Sequence, residues 1–174
     1  MNIVLIGFKS CGKSTVGRAL AVQSGLEFTD TDTVLEDIFF RRFDLRYDCR
    51  RIYEEKGAEC MRVLESESLE LLAGKDGYVI ATGGGVILRP ENILLLQKIG
   101  ICVFLDVPLQ VLEKRLAGNN SPLFAQKSVA EVYAQRIPLY KNAANMRYEA
   151  APKEKPRQIA KKIYEEIIGK KDGQ

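Results

Sequence analysis

The stretch Gly7-Phe8-Lys9-Ser10-Cys11-Gly12-Lys13-Ser14-Thr15 has the glycines, lysine and hydroxyl at the spacing that phosphate binding requires. In such a loop the backbone N–H groups converge on a phosphate, and Gly7 and Gly12 permit the turn. Lys13 would reach the β- and γ-phosphates of a nucleotide, the Ser14 hydroxyl suits a magnesium ligand, and Thr15 supports the start of a helix. Asp30 and Asp32 form a second candidate group. If the strand before them continues, alternation puts both carboxylates on one side. One can then hold magnesium or its waters while the other takes a proton from a substrate hydroxyl. The structural alternative is an N-cap cluster in which Asp32 or Thr33 opens the next helix. A phosphate-type loop upstream favours the chemical reading. The third candidate is Thr82-Gly83-Gly84-Gly85. Three successive glycines cost backbone entropy, so after a strand they mark either close approach of a ligand to the main chain or a flexible loop.

These groups need elements to position them. Ile3-Val4-Leu5-Ile6 reads as a buried strand leading directly into the loop, and Val16, Ala19 and Leu20 recur behind it at helical spacing. The loop therefore sits between a strand and the positive end of a helix dipole. Leu26 to Thr29 predicts a second strand, and Val34, Leu35, Ile38 and Phe39 a helix. Residues 41–51 mix charges without clear periodicity and carry five arginines. A helix is expected after Gly57, through Leu72, with Gly74 at its end. Within it Arg62 and Glu65 lie one turn apart, the spacing of a simple ion pair. Further strands are expected at Tyr78 to Ala81, at Ile101 to Asp106 and near Met146 to Tyr148. Helices are expected from Pro90 to Ile99, from Pro108 to Leu116, through Arg136 and Tyr140, and from Gln158 to Ile168. The break at Gly118-Asn119-Asn120-Ser121-Pro122 is a candidate mobile lid. Five strands alternating with helices predict a parallel sheet covered on both faces, with loop, aspartates and glycines at one crevice beyond the strand ends.

Composition narrows the chemistry. The chain has no histidine, which excludes a histidine base, a histidine metal site and any Ser-His or Cys-His pair. Four scattered cysteines, Cys11, Cys49, Cys60 and Cys102, lack metal-type spacing and read as free thiols in a reducing cytoplasm. Cys11, near a lysine and a helix start, is either a reactive thiol or a loop filler. The net charge of +3 matches the excess of seven Lys/Arg over four Asp/Glu in residues 150–174, leaving the remainder neutral. That pattern describes a solvated tail better than a nucleic-acid surface. No charged leader precedes the first apolar run and no run is long enough to cross a bilayer, so a cytoplasmic protein of one domain is expected.

The order of the motifs is itself informative. The phosphate loop, Phe28-Thr29-Asp30-Thr31-Asp32, Gly57-Ala58-Glu59 leading to Arg62 and Glu65, Thr82-Gly83-Gly84-Gly85 and Arg136-Ile137-Pro138-Leu139-Tyr140 follow one another as in shikimate kinases. The chain resembles that family over nearly its whole length. The resemblance implies an α/β, three-layer P-loop NTPase fold of adenylate-kinase type, with a five-stranded parallel sheet, helices on both faces and a mobile lid. It implies one P-loop kinase domain over residues 1–174, with an acceptor-binding helical segment at about 33–62 and a lid at about 117–128.

Carried over by position, Gly7, Ser10, Cys11, Gly12, Lys13, Ser14 and Thr15 would bind ATP. Ser14 would ligate Mg²⁺, with Asp30 assisting through water. Lys13, Asp32 and Arg115 would be catalytic, Asp32 holding the attacking hydroxyl and Arg115 lying near the nucleotide phosphates. Arg62 and Arg136, with the backbone at Gly83, Gly84 and Gly85, would grip the acceptor carboxylate and ring hydroxyls. Glu65 would orient that group, and Lys153 would border the adenine. The implied reaction is transfer of the ATP γ-phosphate to the 3-hydroxyl of shikimate, in chorismate and aromatic amino acid biosynthesis. A monomer is expected, acting on a small molecule and engaging neither nucleic acid nor membrane. Simple chemistry agrees, since two planar guanidinium forks suit a hydroxylated carboxylic acid.

The chain departs from the family pattern at three places. Ser121-Pro122-Leu123 stands where the family's lid has Arg-Pro-Leu, the segment between Asp32 and Arg62 is several residues longer, and Glu149-Ala150-Ala151 replaces an aspartate-threonine pair. Loss of the lid arginine leaves a slow enzyme, one rescued by Lys127 or another cation, or one with a different acceptor. Two alternatives follow: a kinase for another small polyol acid such as gluconate, or a nucleotide-binding regulatory relative with weak transfer.

Overall fold

The computed structural model describes residues 1–118 and 121–172. Its strands are β1 (Ile3–Ile6), β2 (Glu27–Asp30), β3 (Tyr78–Ala81), β4 (Ile101–Asp106) and β5 (Met146–Glu149). They form one five-stranded, all-parallel sheet in the order β2-β3-β1-β4-β5. Every residue of β1 and all but the first of β4 are buried, because helices cover both faces. Edge strand β5 alternates buried and exposed residues instead. The register pairs Leu5 with both Ala81 and Val103, and Asp30 with Ala81, so the segments that follow β1, β2 and β3 leave the sheet at the same end.

The helices are α1 (Lys13–Ser24), α2 (Thr31–Phe43), α3 (Cys49–Leu72), α4 (Pro90–Ile99), α5 (Leu109–Leu116), α6 (Val129–Ala143) and α7 (Pro156–Asp172). Local sequence sets several of their starts. Asp48 caps α3 by accepting from the Arg51 N–H, and Ser128 with Glu131 forms a reciprocal capping box on α6. α1 packs against α7, and α2 against α3. The α2–α3 pair encloses a small core of its own, Leu35, Phe39, Ile52, Met61 and Leu64, separate from the main core around the sheet. Each fully buried Leu or Phe in it contributes about 1.5–3 kcal/mol, which holds the α2–α3 pair in shape.

Four local expectations need correction. β2 ends at Asp30, so strand alternation does not place Asp32; Asp30 itself is the N-cap of α2, rather than Asp32 or Thr33. α3 starts at Cys49, well before Gly57, and Gly57 interrupts it with φ 80°, a left-handed value that costs glycine little. Gly74 does not cap α3, which ends through a right-handed Ala73. The arginine-rich stretch is ordered by stacking rather than periodicity. Arg46 lies over Phe40 and Arg51 over Tyr47, while Tyr47 stacks on Phe39. Pro122–Phe124 makes a short 3₁₀ turn, and Asn119 and Asn120 of the expected lid lie outside the described residues. Among the described residues no helix is long and apolar enough to cross a membrane.

Candidate active site

The phosphate loop is pinned by its own lysine. The buried Lys13 ammonium donates to the carbonyls of Gly7 and Phe8, both at 2.9 Å, and lies 3.6 Å from Cys11 Sγ. The Phe8 carbonyl also accepts from the Cys11 N–H at 3.2 Å, which closes the turn of the loop ahead of α1. Cys11 is buried beneath the loop, as a filler would be. Arg115, at the end of α5, reaches the loop from outside and donates to the carbonyls of Ser10 and Cys11 at 3.1 and 3.2 Å.

Beside the loop, the Ser14 hydroxyl donates to Asp30 Oδ2 at 2.6 Å, and Asp30 Oδ1 accepts from the Asp32 N–H at 3.1 Å. A hydroxyl and a carboxylate next to a phosphate loop fit Mg²⁺, a hard cation that takes few protein ligands alongside phosphate oxygens and water. Among the described residues no group of three or more His, Cys, Asp or Glu forms a closed metal cage. Burial pushes the Asp32 carboxyl above its usual range; Asp30 adds to this, while Lys13 and Lys9 oppose it.

The other side of the cleft is built from α3, α6 and the glycines after β3. Buried Glu65 pairs with Arg62 one turn earlier. Arg136, also buried, donates to the Gly84 carbonyl at 3.0 Å, and the Tyr140 hydroxyl donates to the same oxygen at 2.6 Å. The Gly83 N–H donates to the Thr31 hydroxyl at 2.9 Å. A methyl group on Gly83 would stand 2.8 Å from Asp32 Oδ1, and one on Gly85 would overlap the Arg62 guanidinium. The glycines are thus required by what lies against them. Arg62 is the movable end of a flexible side chain, so Gly85→Ala should displace it without harming the fold. Expected results are a melting temperature close to the parent's and an acceptor KM raised by about tenfold or more, checked by thermal melts and steady-state kinetics.

All these groups meet in a cleft of about 530 Å³. Lys13, Ser14, Thr15, Asp30, Asp32, Arg62, Glu65, Gly83, Gly84, Gly85 and Arg136 line it, with Ser10, Gly12 and Ser121. Gly7 and Cys11, within the loop, do not line it, and Arg115 flanks the loop. Lys153 is elsewhere, in an open groove formed by the turn before α7 and by Lys161 and Lys162 of α7 itself. Lys127 donates to Gln135 and does not line the cleft. Lys9, Cys49, Arg50, Tyr53 and Met61 do line it, although no sequence pattern singled them out. Tyr140 belonged to a recognised motif, but only the fold shows its hydroxyl on Gly84.

Burial pushes the Glu65 carboxyl up to about 7, against the pull of Arg62. A carboxyl with a raised folded-state pKa binds its proton more tightly folded than unfolded. Its contribution to stability therefore falls as pH rises from about 4.5 through 7. Glu65→Gln removes this loss, so the melting temperature of the variant minus that of the parent should increase between pH 5 and pH 8 (about the span of the two pKa values). A difference that stays flat or decreases would contradict the assignment.

The family model for shikimate kinase matches residues 9–168. A shikimate kinase of Nitratidesulfovibrio vulgaris is 41% identical over 151 residues, which is 82% of this chain and 83% of that protein. One from Geobacter sulfurreducens is 35% identical, over 87% of this chain and 83% of its own length. Among solved structures, shikimate kinase from Acinetobacter baumannii in complex with shikimate superposes with a TM-score of 0.85 at 31% identity, covering 98% of this chain and 94% of that one. Shikimate kinase from Aquifex aeolicus gives a TM-score of 0.82 at 30% identity over the full length of both chains. With phosphate loop, carboxylates and arginines meeting in one cleft, and with similarity of this extent along the chain, the protein belongs to the shikimate kinase family.

Proposed function

We propose that this protein transfers the γ-phosphoryl group of ATP to the 3-hydroxyl of shikimate. The observation that carries the reading is the position of Asp32. Its backbone is tied to the Ser14–Asp30 pair, its carboxylate lies against Gly83, and the next glycine's carbonyl is held by Arg136. One carboxylate thus stands between a phosphate site and a pair of arginines suited to an acidic acceptor. The relative solved with shikimate supports the choice of that acceptor.

The acceptor carboxylate pairs with Arg62 and Arg136, a bidentate geometry that aligns the ring. Its 3-hydroxyl oxygen attacks the γ-phosphorus while its proton passes to Asp32. The bond from the γ-phosphorus to the bridging oxygen breaks, and ADP leaves with the electron pair. The raised pKa of Asp32 makes it a better proton acceptor than an ordinary surface aspartate. Ser14 and Asp30 would hold Mg²⁺, which supplies charge neutralisation at the phosphates. Lys13 and the loop N–H groups orient the nucleotide, and Arg115 braces the loop from outside. The cleft of about 530 Å³ supports action on a small molecule; action as a cytoplasmic monomer that engages neither nucleic acid nor membrane belongs to the same proposal.

An acceptor panel tests the assignment. With Mg²⁺-ATP, phosphorus NMR should show a new phosphate ester with shikimate and none with gluconate. An ester formed only with gluconate would replace the acceptor. ATP binding with no ester from any acceptor would favour a regulatory role.

A further inference from the structure

We propose that Lys9 is a catalytic residue of this transfer, its ammonium meeting the γ-phosphoryl group on the acceptor side as the group passes between the two oxygens. The inference rests on the kinase reading above. Five cations line the cleft, and four are already engaged. Lys13 holds the carbonyls of Gly7 and Phe8, Arg62 pairs with Glu65, Arg136 holds Gly84, and Arg50 pairs with Glu54. Lys9, half-buried in the same cleft, makes no hydrogen bond or ion pair among the described residues. Its backbone nitrogen lies 3.3 Å from where a methyl on Gly84 would stand, so it belongs to the acceptor side of the loop. Its charge also reaches Asp32.

Charge spread over three phosphoryl oxygens needs compensation from more than one direction. Lys13 supplies it from the loop. Across the cleft, Ser121, Pro122 and Leu123 carry no charge, and Lys127 and Arg115 do not line it. Lys9 is the unengaged cation within that gap.

The test compares the parent with Lys9→Met, Lys9→Arg and the double variant Lys9→Met/Ser121→Arg, using ADP release and thermal melts. Lys9→Met should lower kcat by about 10²-fold or more while leaving KM for ATP and the melting temperature little changed. Lys9→Arg should recover most of the loss, and Ser121→Arg should recover part of it by returning a cation to the same cleft. An active parent whose kcat survives Lys9→Met, or a loss that Lys9→Arg fails to relieve, would overturn the inference alone. A parent that turns over no acceptor would overturn the kinase reading and this inference with it.

Discussion

Asp32→Asn lowers kcat by about 10²–10⁴-fold and leaves ATP affinity close to that of the parent. Asparagine keeps the shape of the side chain and leaves the backbone N–H bond from residue 32 to Asp30 in place, so the first turn of α2 and the Ser14–Asp30 pair persist. What it loses is the capacity to take a proton. The attacking hydroxyl would then carry its proton into the transition state, because no histidine exists to replace the base. The raised pKa of Asp32 comes chiefly from burial, so the substitution also removes a desolvated charge, and stability should hold or rise. Steady-state kinetics with calorimetric titration of nucleotide separates the two effects. Turnover equal to the parent's would remove Asp32 from the mechanism.

The second large effect is at Arg136. Arg136→Met should raise the acceptor KM by at least about 30-fold, since losing one partner of a buried, hydrogen-bonded charge pair costs about 2–5 kcal/mol. KM for ATP should change little, because Arg136 touches the triple-glycine segment rather than the phosphate loop. The fold has a reserve at this point. The Tyr140 hydroxyl, on a fully buried ring stacked against Phe104, still donates to the Gly84 carbonyl. The melting temperature should accordingly fall only modestly. An unchanged acceptor KM would place the carboxylate elsewhere, with Arg50 the next cation in the cleft to examine.

These two residues illustrate what a sequence can and cannot state. The phosphate loop was legible because its chemistry is contiguous: strand, glycines, lysine and helix follow without a break. The central strands β1, β3 and β4 were legible because buried parallel strands are largely apolar runs, whereas the edge strands β2 and β5 carry polar residues. Asp30 and Asp32 were legible as a pair but for the wrong geometric reason. They do not alternate along a strand; one caps the helix that carries the other. α3 was placed too late because its first turn is held by the Asp48 cap and by Arg51 lying over Tyr47, which leaves no helical period to read. The grip on Gly84 joins residues more than fifty positions apart, and no local pattern encodes it. Lys9 was hidden inside a motif whose intervening positions are read as filler. Lys153 was carried over by position and lies outside the cleft, in a groove of its own against α7.

The most direct measurement is ADP release by the purified protein with Mg²⁺-ATP, with and without shikimate, alongside Lys13→Ala. The assignment predicts release that depends on shikimate and is lost in the variant, because Lys13 pins the loop and, in the proposed mechanism, would reach the nucleotide phosphates. Release that is indifferent to shikimate, or that survives Lys13→Ala, would contradict it.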